Sequence, residues 1–376
     1  MRKLASSILL AIVATALPLY PQGGPSKEST ESVAKPRRTN KDGEPVKEEE
    51  QPKIPSKYNK KENAIPEGPS FRSDASTVNL DVAVVDNKGN FIPKIPKEAF
   101  RVLEDGVPQQ VSTFGVGEGA MTVCMVIEFS NLYQRYWTET WYQTLTASYG
   151  FLETLKPEDY VAVVAYDLRP EILSDFSTNK QKAYEAMQRL RIPAFSESNL
   201  YDALVDTAER MTEIEGRKAI VLLSTGVDTF SKLTFDKTRK ALQNAGVPIY
   251  GIGLMQTMRE LMDAYGYMGP IARLDFLQAD NQMKTFAKET GGASFFPRFY
   301  GEFPGIFRAI SDSLRNQYTM TYKPSNQTRD GKFRKIKVEL VNPATNEPLK
   351  VVDQKGKPIK YTIIAKQGYT APREVE

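Results

Sequence analysis

One short apolar run, residues 122–127, constrains the fold of this chain more than any other segment. The run is continuous and rich in β-branched residues, which is typical of a central strand that helices cover on both faces of a parallel sheet. Three oxygen-bearing side chains follow it closely: Glu128, Ser130 and Asn131. Because ligands of open α/β sheets bind beyond the carboxyl ends of the strands, these residues are the first candidates for a functional site.

Strands and helices alternate along residues 119–316. Strands are predicted at 159–166, 218–224, 247–254 and 293–296, with an antiparallel edge strand at 171–176. Helices are predicted at 180–190, 199–214, 234–245 and 303–315, and a long excursion at 255–280 precedes a helix that stops at Gly291. This alternation predicts a doubly wound, mostly parallel α/β sheet of Rossmann-like class.

Both flanks of this α/β domain have the period of half-buried strands instead. Val78, Leu80 and Val82 alternate with polar residues before it, and Tyr318 and Met320 do so after it. The strands after the domain are too few to be stable alone, and the simplest solution pairs them with the strands before it. We therefore predict that the strands of residues 71–118 and 317–376 complete one β-sandwich domain between them.

The first 70 residues have two distinct compositions. Residues 1–20 start with basic side chains, continue with an apolar stretch too short to span a membrane, and include Ala14-Thr15-Ala16, which fits a signal-peptidase site. We predict a secretory signal, with an uncleaved signal anchor as the alternative and the sole membrane contact. Residues 21–70 are dominated by proline, lysine, glutamate and serine, which predicts a disordered linker. The mature protein is expected to be secreted or periplasmic.

Composition excludes several classes of function. The chain has 50 basic and 46 acidic residues and lacks a basic cluster with interleaved aromatics, which argues against nucleic acid as a partner. It contains no histidine, which excludes Ser-His-Asp and Cys-His nucleophiles and zinc sites that use histidine. The single cysteine, Cys124, lies inside the apolar run and is predicted to be a buried, inert thiol. We expect no enzymatic activity.

Loops 128–132, 195–199 and 224–228 are expected to converge at the carboxyl edge of the sheet. The segments SNLYDAL and AIVLLSTGVD, framed by FRVLEDGVPQQVSTF before and YTMTYKPSNQTRDGKFRKIKVEL and QGYTAP after, resemble one family. From residue 78 to about residue 372 the chain is similar to von Willebrand factor type A-related (VWFA-related) domain proteins, of the type first described from Acidobacteria. The resemblance implies an adhesion-type Mg²⁺ site, with an Asp-x-Ser-x-Ser loop, a threonine and a second aspartate as its oxygen ligands.

Compared with that family pattern, this chain retains only some of the ligand residues. Glu128 stands in place of the first aspartate, Ser130 matches the first serine, and Leu132 replaces the second serine. Ser198 takes the threonine position, and Thr225 takes that of the second aspartate. Losing one carboxylate removes a negative charge and so should weaken the attraction for a cation. Mg²⁺ also gives up its waters reluctantly, so an incomplete set of ligands should bind it weakly. Two interpretations stay open: a hydrogen-bonded polar cluster without an ion, and a degenerate site that holds Mg²⁺.

These observations predict a non-enzymatic extracytoplasmic binding, adhesion or scaffold protein whose partner is a protein or a surface polymer. Side chains at the same edge are candidates for partner contact: Asn131, Glu197, Asp228 and Tyr136. A Mg²⁺-dependent adhesin is one alternative. The other is a hydrolase that uses Glu128 with Asp228, against which the missing histidines and nucleophile motifs stand.

Two further patterns have both a structural and a functional interpretation. The aromatic stripe Tyr133, Trp137, Trp141 and Leu145 has the i, i+4 spacing of a core-facing helix, although exposed aromatics can also stack on sugars. Four methionines in the excursion, at 255, 258, 262 and 268, predict a small satellite core, with a partner site as the alternative.

Overall fold

The structure is a computed structural model that describes residues 77–87, 89–117, 119–130, 137–190, 195–214, 216–352 and 356–373. The predicted signal, the predicted linker, Asn131, Leu132, Tyr133 and Tyr136 lie outside these residues. Within the described ranges, we find no helix with the length and apolar character needed to cross a bilayer.

A six-stranded sheet forms the centre of the α/β part, in the order β10-β9-β8-β5-β6-β7. Neighbouring strands are parallel except at the edge, where β7 runs antiparallel to β6, as predicted. All eight residues of β5 are buried. The strands are β5 (Met121–Glu128), β6 (Tyr160–Tyr166), β7 (Pro170–Ser177), β8 (Arg217–Ser224), β9 (Ile249–Gly253) and β10 (Ser294–Phe295).

Helices cover both faces of this sheet, because alternate residues of β5 point to opposite sides. Val123 and Met125 pack in one apolar cluster with residues of α1, α2 and α7, whereas Cys124 and Val126 pack in another with residues of α3, α4 and α6. The helices are α1 (Trp137–Thr154), α2 (Lys180–Gln188), α3 (Leu200–Met211), α4 (Phe235–Ala245), α5 (Gln256–Ala264), α6 (Pro270–Thr290) and α7 (Phe303–Arg315). The chain is therefore a mixed α/β protein with a mostly parallel sheet.

Strands from the two ends of the chain share sheets and a core. The first sheet has the order β15-β1-β11-β4 and the second the order β16-β12-β2-β3, each with antiparallel neighbours. Leu80 and Val102 from the N-terminal strands lie in one apolar cluster with Tyr318 and Ile336 from the C-terminal strands. The strands are β1 (Val78–Asp86), β2 (Phe100–Glu104), β3 (Val107–Gln109), β4 (Val111–Gly117), β11 (Gln317–Tyr322), β12 (Phe333–Leu340), β15 (Tyr361–Ala365) and β16 (Gly368–Thr370), with a separate ribbon of β13 (Val351–Val352) and β14 (Pro358–Ile359).

The excursion at 255–280 differs from its prediction as a long connection. It contains α5 and the first half of α6, and the turn between them includes Gly266 at a φ of 70° and Pro270 at the start of α6. Proline is well placed there because a helix needs no backbone N–H at its first position. Met255 is partly buried against the main apolar cluster, Met268 is buried, and Met258 and Met262 are partly buried. The predicted satellite core is not among the apolar clusters of the described residues, because Met255 packs against the main core.

The core interpretation of the aromatic stripe is confirmed for the two members whose side chains are described. Trp141 and Leu145 are buried in the cluster beneath α1. The Trp141 indole N–H also donates a hydrogen bond to the backbone oxygen of Leu190, at 3.0 Å. Because the ring is enclosed and its polar atom is paired, Trp141 is unavailable for stacking on a sugar.

We expect the Cys124 thiol to resist alkylation in the folded protein. The side chain is buried, and burial raises the pKa of the thiol to about 12, so the reactive thiolate is scarce at neutral pH. Iodoacetamide at pH 8, followed by intact-mass measurement, should label the chain only after denaturation. Rapid labelling of the native chain would contradict the placement of Cys124 in the central strand.

Candidate functional site

The carboxyl ends of β5 and β8 bring the first and third loops together. The two strands are parallel and in register, with Ile127 opposite Leu223, so Glu128 lies beside the start of the third loop. The second loop joins them through Ser198, whose backbone N–H donates to Thr229 Oγ1 at 2.9 Å. The three predicted loops therefore meet at one edge of the sheet.

The Glu128 carboxylate is the centre of this edge. Its Oε1 accepts a hydrogen bond from Ser130 Oγ at 2.8 Å, and its Oε2 accepts bonds from Ser224 Oγ at 2.8 Å and the Thr225 N–H at 2.7 Å. Thr225 Oγ1 lies 3.1 and 2.9 Å from the two carboxylate oxygens. All four residues are buried. Both oxygens of the carboxylate are thus satisfied by the protein itself.

Tyr166 completes this network, which we call the Glu128 cluster: Glu128, Ser130, Tyr166, Ser224 and Thr225. The Tyr166 hydroxyl donates to Ser224 Oγ at 2.8 Å. Burial, and next the charge of Glu128, raise the pKa of Tyr166 well above its usual range, so the phenol stays a neutral donor. The sequence pattern does not indicate Tyr166, and it indicates Ser224 only as the first residue of the third loop, although each is the last residue of a strand that ends at this edge.

Gly226 lets the third loop turn sharply beside the cluster. Its φ is 80°, and its N–H donates to Ser224 Oγ at 2.8 Å. A Cβ at this position would lie 2.8 Å from Met283 Sδ and 3.0 Å from the Ala279 backbone oxygen. Only glycine combines this backbone conformation with such close packing against α6.

Ser198 reaches the same edge but is not bonded to Glu128. The residue is fully buried, and its Oγ has no hydrogen-bond partner among the described residues. The nearby Tyr166 hydroxyl does not meet this oxygen in hydrogen-bond geometry. Of the four predicted metal ligands, three are linked by hydrogen bonds: Glu128, Ser130 and Thr225. Ser198 forms no side-chain hydrogen bond with them.

Asp228 belongs to a different network, at the start of α3. Its Oδ1 accepts hydrogen bonds from the Tyr201 N–H at 3.2 Å and from Ser231 Oγ at 2.5 Å. Burial raises the pKa of the Asp228 carboxyl above its usual value. Glu197 is partly buried in the second loop. The carboxylate pair of the hydrolase alternative, Glu128 with Asp228, is therefore divided between two networks.

A buried arginine that the sequence reasoning missed lies behind the third loop. The Nη2 of Arg259 donates to the Thr225 backbone oxygen at 2.6 Å, and its Nη1 is 2.6 Å from Asp280 Oδ1. The guanidinium also lies over the Phe276 ring, 4.3 Å from its centroid. Thr225 thus connects Glu128 on one side with a fixed positive charge on the other. No local spacing pointed to this pair, because Arg259 and Asp280 lie on separate helices.

These residues do not fit a Mg²⁺ site of the kind that the resemblance implies. Mg²⁺ needs oxygen ligands in octahedral geometry and usually one or two carboxylates. The one carboxylate of the Glu128 cluster already accepts protein hydrogen bonds at both oxygens, and Arg259 adds positive charge nearby. In the part of the chain that the structure describes, no three or more acidic, histidine or cysteine side chains are grouped so as to hold a metal.

We expect Arg259→Gln to loosen α5 from the third loop. The substitution leaves Asp280 and the Thr225 backbone oxygen without their charged donor, which should cost about 2 kcal/mol of stability. Hydrogen exchange should report faster exchange of the α5 amides. The matched control is Arg273→Gln, because Arg273 pairs with Asp263 at an exposed site where an ion pair contributes little. Equal exchange in both variants would contradict the tethering role of Arg259.

Comparison with known proteins yields a limited likeness. No family model matches the chain, and no curated protein matches it. Among solved structures, a von Willebrand factor type A protein from Catenulispora acidiphila is 12% identical, with a TM-score of 0.39 over 80% of this chain and 76% of that chain. An aerotolerance-related membrane protein from Bacteroides fragilis is 13% identical, with a TM-score of 0.39 over 52% of this chain and 98% of that one.

The von Willebrand factor domain of a type V pilus tip protein from Porphyromonas gingivalis is also 13% identical, with a TM-score of 0.39 over 52% of this chain and 95% of that chain. At this level of likeness, none of the three structures carries an argument about function.

Proposed function

We propose that this chain is a non-enzymatic binding or scaffold protein of an extracytoplasmic compartment. In this proposal residues 119–316 form a von Willebrand factor type A-like domain of the VWFA-related, Acidobacteria type. Residues 71–118 and 317–376 form the β-sandwich beside it. The basic and apolar start of the chain supports export, and the family-like framing segments support the domain type. The partner is a protein or a surface polymer, and nucleic acid is not expected.

One observation carries this proposal: the Glu128 cluster is closed by its own hydrogen bonds. Glu128 accepts from Ser130, Ser224 and Thr225, so its carboxylate is occupied rather than poised as a base. The hydroxyls of Ser130 and Ser224 donate to that carboxylate, and neither has the neighbouring histidine that would activate a nucleophile. This supports a rigid platform for binding in place of a catalytic centre.

Contact with the partner is assigned to the side chains around the cluster. Glu197 and Asp228 belong to the second and third loops, Asn131 belongs to the first loop, and Tyr136 follows the first loop in the sequence. Loops at this edge are held by the sheet beneath them, which suits a surface that recognises a partner without folding on binding.

The Mg²⁺-dependent adhesin alternative is supported by one specific observation. The buried Ser198 hydroxyl has no hydrogen-bond partner among the described residues, and a ligand at this edge would give it one. This alternative differs from the main proposal in requiring a divalent cation for capture of the partner.

The proposal is tested by capture from an extracytoplasmic fraction with the full chain as bait. We expect a specific partner that survives a chelator and is lost with Asn131→Ala/Tyr136→Ala/Glu197→Ala. A matched control, Glu98→Ala/Glu347→Ala, changes exposed carboxylates outside the three loops and should retain the partner. Loss of the partner on chelation would favour the adhesin, and Glu128-dependent hydrolysis in a substrate screen would favour the enzyme.

A further inference from the structure

The two helices of the excursion expose an unusual amount of apolar surface. Of fourteen large apolar side chains exposed in the described chain, six fall within residues 261–277, at exposures between 46% and 78%. We call this set the hairpin patch: Leu261, Tyr265, Tyr267, Ile271, Leu274 and Leu277. Single exposed apolar residues are ordinary on a protein surface, but a concentration of this kind marks an interaction site.

The patch is held on a fixed support. The rings of Tyr265 and Tyr267 are in contact, with centroids 6.1 Å apart. Ile271, Leu274 and Leu277 follow at three-residue spacing on neighbouring positions of α6. The ion pair of Arg259 with Asp280 links α5 to α6. Four of the six side chains are therefore presented by linked helices, and Tyr265 and Tyr267 lie in the turn that joins them.

The size of the patch matches one half of a protein interface. Its exposed surface is on the order of 700 Å², taking roughly 180 Å² for one fully exposed large side chain. A standard interface buries about 800 Å² on each partner. Monomeric proteins rarely leave an apolar patch larger than a few hundred Å² open to water.

The charges at the rim indicate which partner fits. Asp263 is paired with Arg273 and Glu260 with Arg298, so the rim carries charges of both signs that largely cancel, with the exposed Asp275 adding one carboxylate. Such a rim offers no single-sign field to attract an acidic or basic partner or an anionic bilayer. An apolar, neutral patch is compatible with its own copy, because an isologous interface places the same surface on both sides.

We propose that the hairpin patch is the interface of a symmetric homodimer of this chain. The patch is a different set of residues from the Glu128 cluster, so the dimer and the proposed binding function can each be right or wrong alone. In the dimer, α5 and α6 of one copy pack against α5 and α6 of its partner, and the six apolar side chains become the buried centre of the interface.

Sedimentation equilibrium of the full chain at ~50 µM tests this proposal. The weakest interfaces of standard size have a Kd in the micromolar range, so a dimer should be populated at this concentration. We expect the wild type at two chain masses and the patch variant Tyr267→Ser/Ile271→Ser/Leu274→Ser at one. The control Val107→Ser/Phe299→Ser/Val352→Ser removes three large apolar side chains, each more than half exposed, outside the patch and should remain a dimer. Circular dichroism spectra at 25 °C should be the same for all three proteins, whereas the monomeric variant should melt somewhat lower because it has lost the stabilisation by association.

A second variant guards against a folding defect in the first. Leu274→Lys places like charges against each other across an isologous interface and should weaken the dimer about 10-fold or more. The proposal is overturned by a monomeric wild type, or by patch variants that remain dimeric. It is also overturned if the wild type floats with phosphatidylcholine vesicles as a monomer, since a bilayer would then be the occupant.

Discussion

Replacing Glu128 by alanine is expected to lower the free energy of unfolding by about 3–4 kcal/mol, because four buried donors lose their acceptor. These donors are the hydroxyls of Ser130, Ser224 and Thr225 and the Thr225 N–H. The Tyr166 hydroxyl donates to Ser224, which in turn donates to Glu128, so the substitution also removes the final acceptor of this chain of hydrogen bonds. Urea denaturation should show an earlier midpoint with an unchanged slope.

The matched control is Glu128→Gln, which retains the side-chain volume and one carbonyl acceptor. It should cost about 1–2 kcal/mol, since a neutral acceptor forms weaker hydrogen bonds than a carboxylate. If Glu128→Ala were as stable as the wild type, the closed hydrogen-bond network described here would be wrong.

Replacing Asp159 by alanine is expected to cost about 3–5 kcal/mol, as breaking a buried ion pair usually does. Asp159 is fully buried, and its Oδ2 lies 2.9 Å from Arg315 Nη2 at the end of α7. The same carboxylate accepts the Met121 N–H at 2.9 Å and the Lys156 N–H at 2.7 Å. The substitution leaves the guanidinium without its anionic partner and two backbone donors without their acceptor at the start of the central strand.

An exposed ion pair provides the comparison for Asp159. Asp263→Ala removes the partner of Arg273 at a site where both side chains are about half exposed, so we expect a loss below about 1 kcal/mol. Thermal and urea unfolding of the two variants should differ clearly. Equal losses of unfolding free energy would mean that burial does not increase the contribution of the Asp159–Arg315 pair to stability.

The central sheet could be predicted because its strands are buried on both faces. Residues 122–127 are apolar without interruption, and a strand covered by helices on two sides requires that composition. The antiparallel edge strand was also predictable, since β7 is more polar than the strands inside the sheet. Positions at the carboxyl ends of the strands then indicated Glu128 and Thr225 as neighbours.

The rest of the site could not be predicted, for two physical reasons. Arg259 and Asp280 meet across two helices, and their pairing depends on a packing angle that no local pattern encodes. Helix α5 and the first half of α6 could not be predicted from the sequence, because the large apolar residues of 261–277 face solvent. Their spacing therefore does not mark a helix face that is turned to the core. The sequence pattern predicts a strand at Tyr166 but does not predict the partner of its hydroxyl. That hydroxyl reaches Ser224 because of the register between the strands of the sheet.

Calorimetric titration with Mg²⁺ and Mn²⁺ tests most directly whether the Glu128 cluster is closed by its own hydrogen bonds instead of by a cation. We predict no binding in the micromolar range, for the wild type or for Glu128→Ala. Thr225→Asp, which restores a second carboxylate to the third loop, should gain measurable affinity and so shows that the assay can detect a filled site. A micromolar affinity of the wild type that Glu128→Ala abolishes would contradict the account.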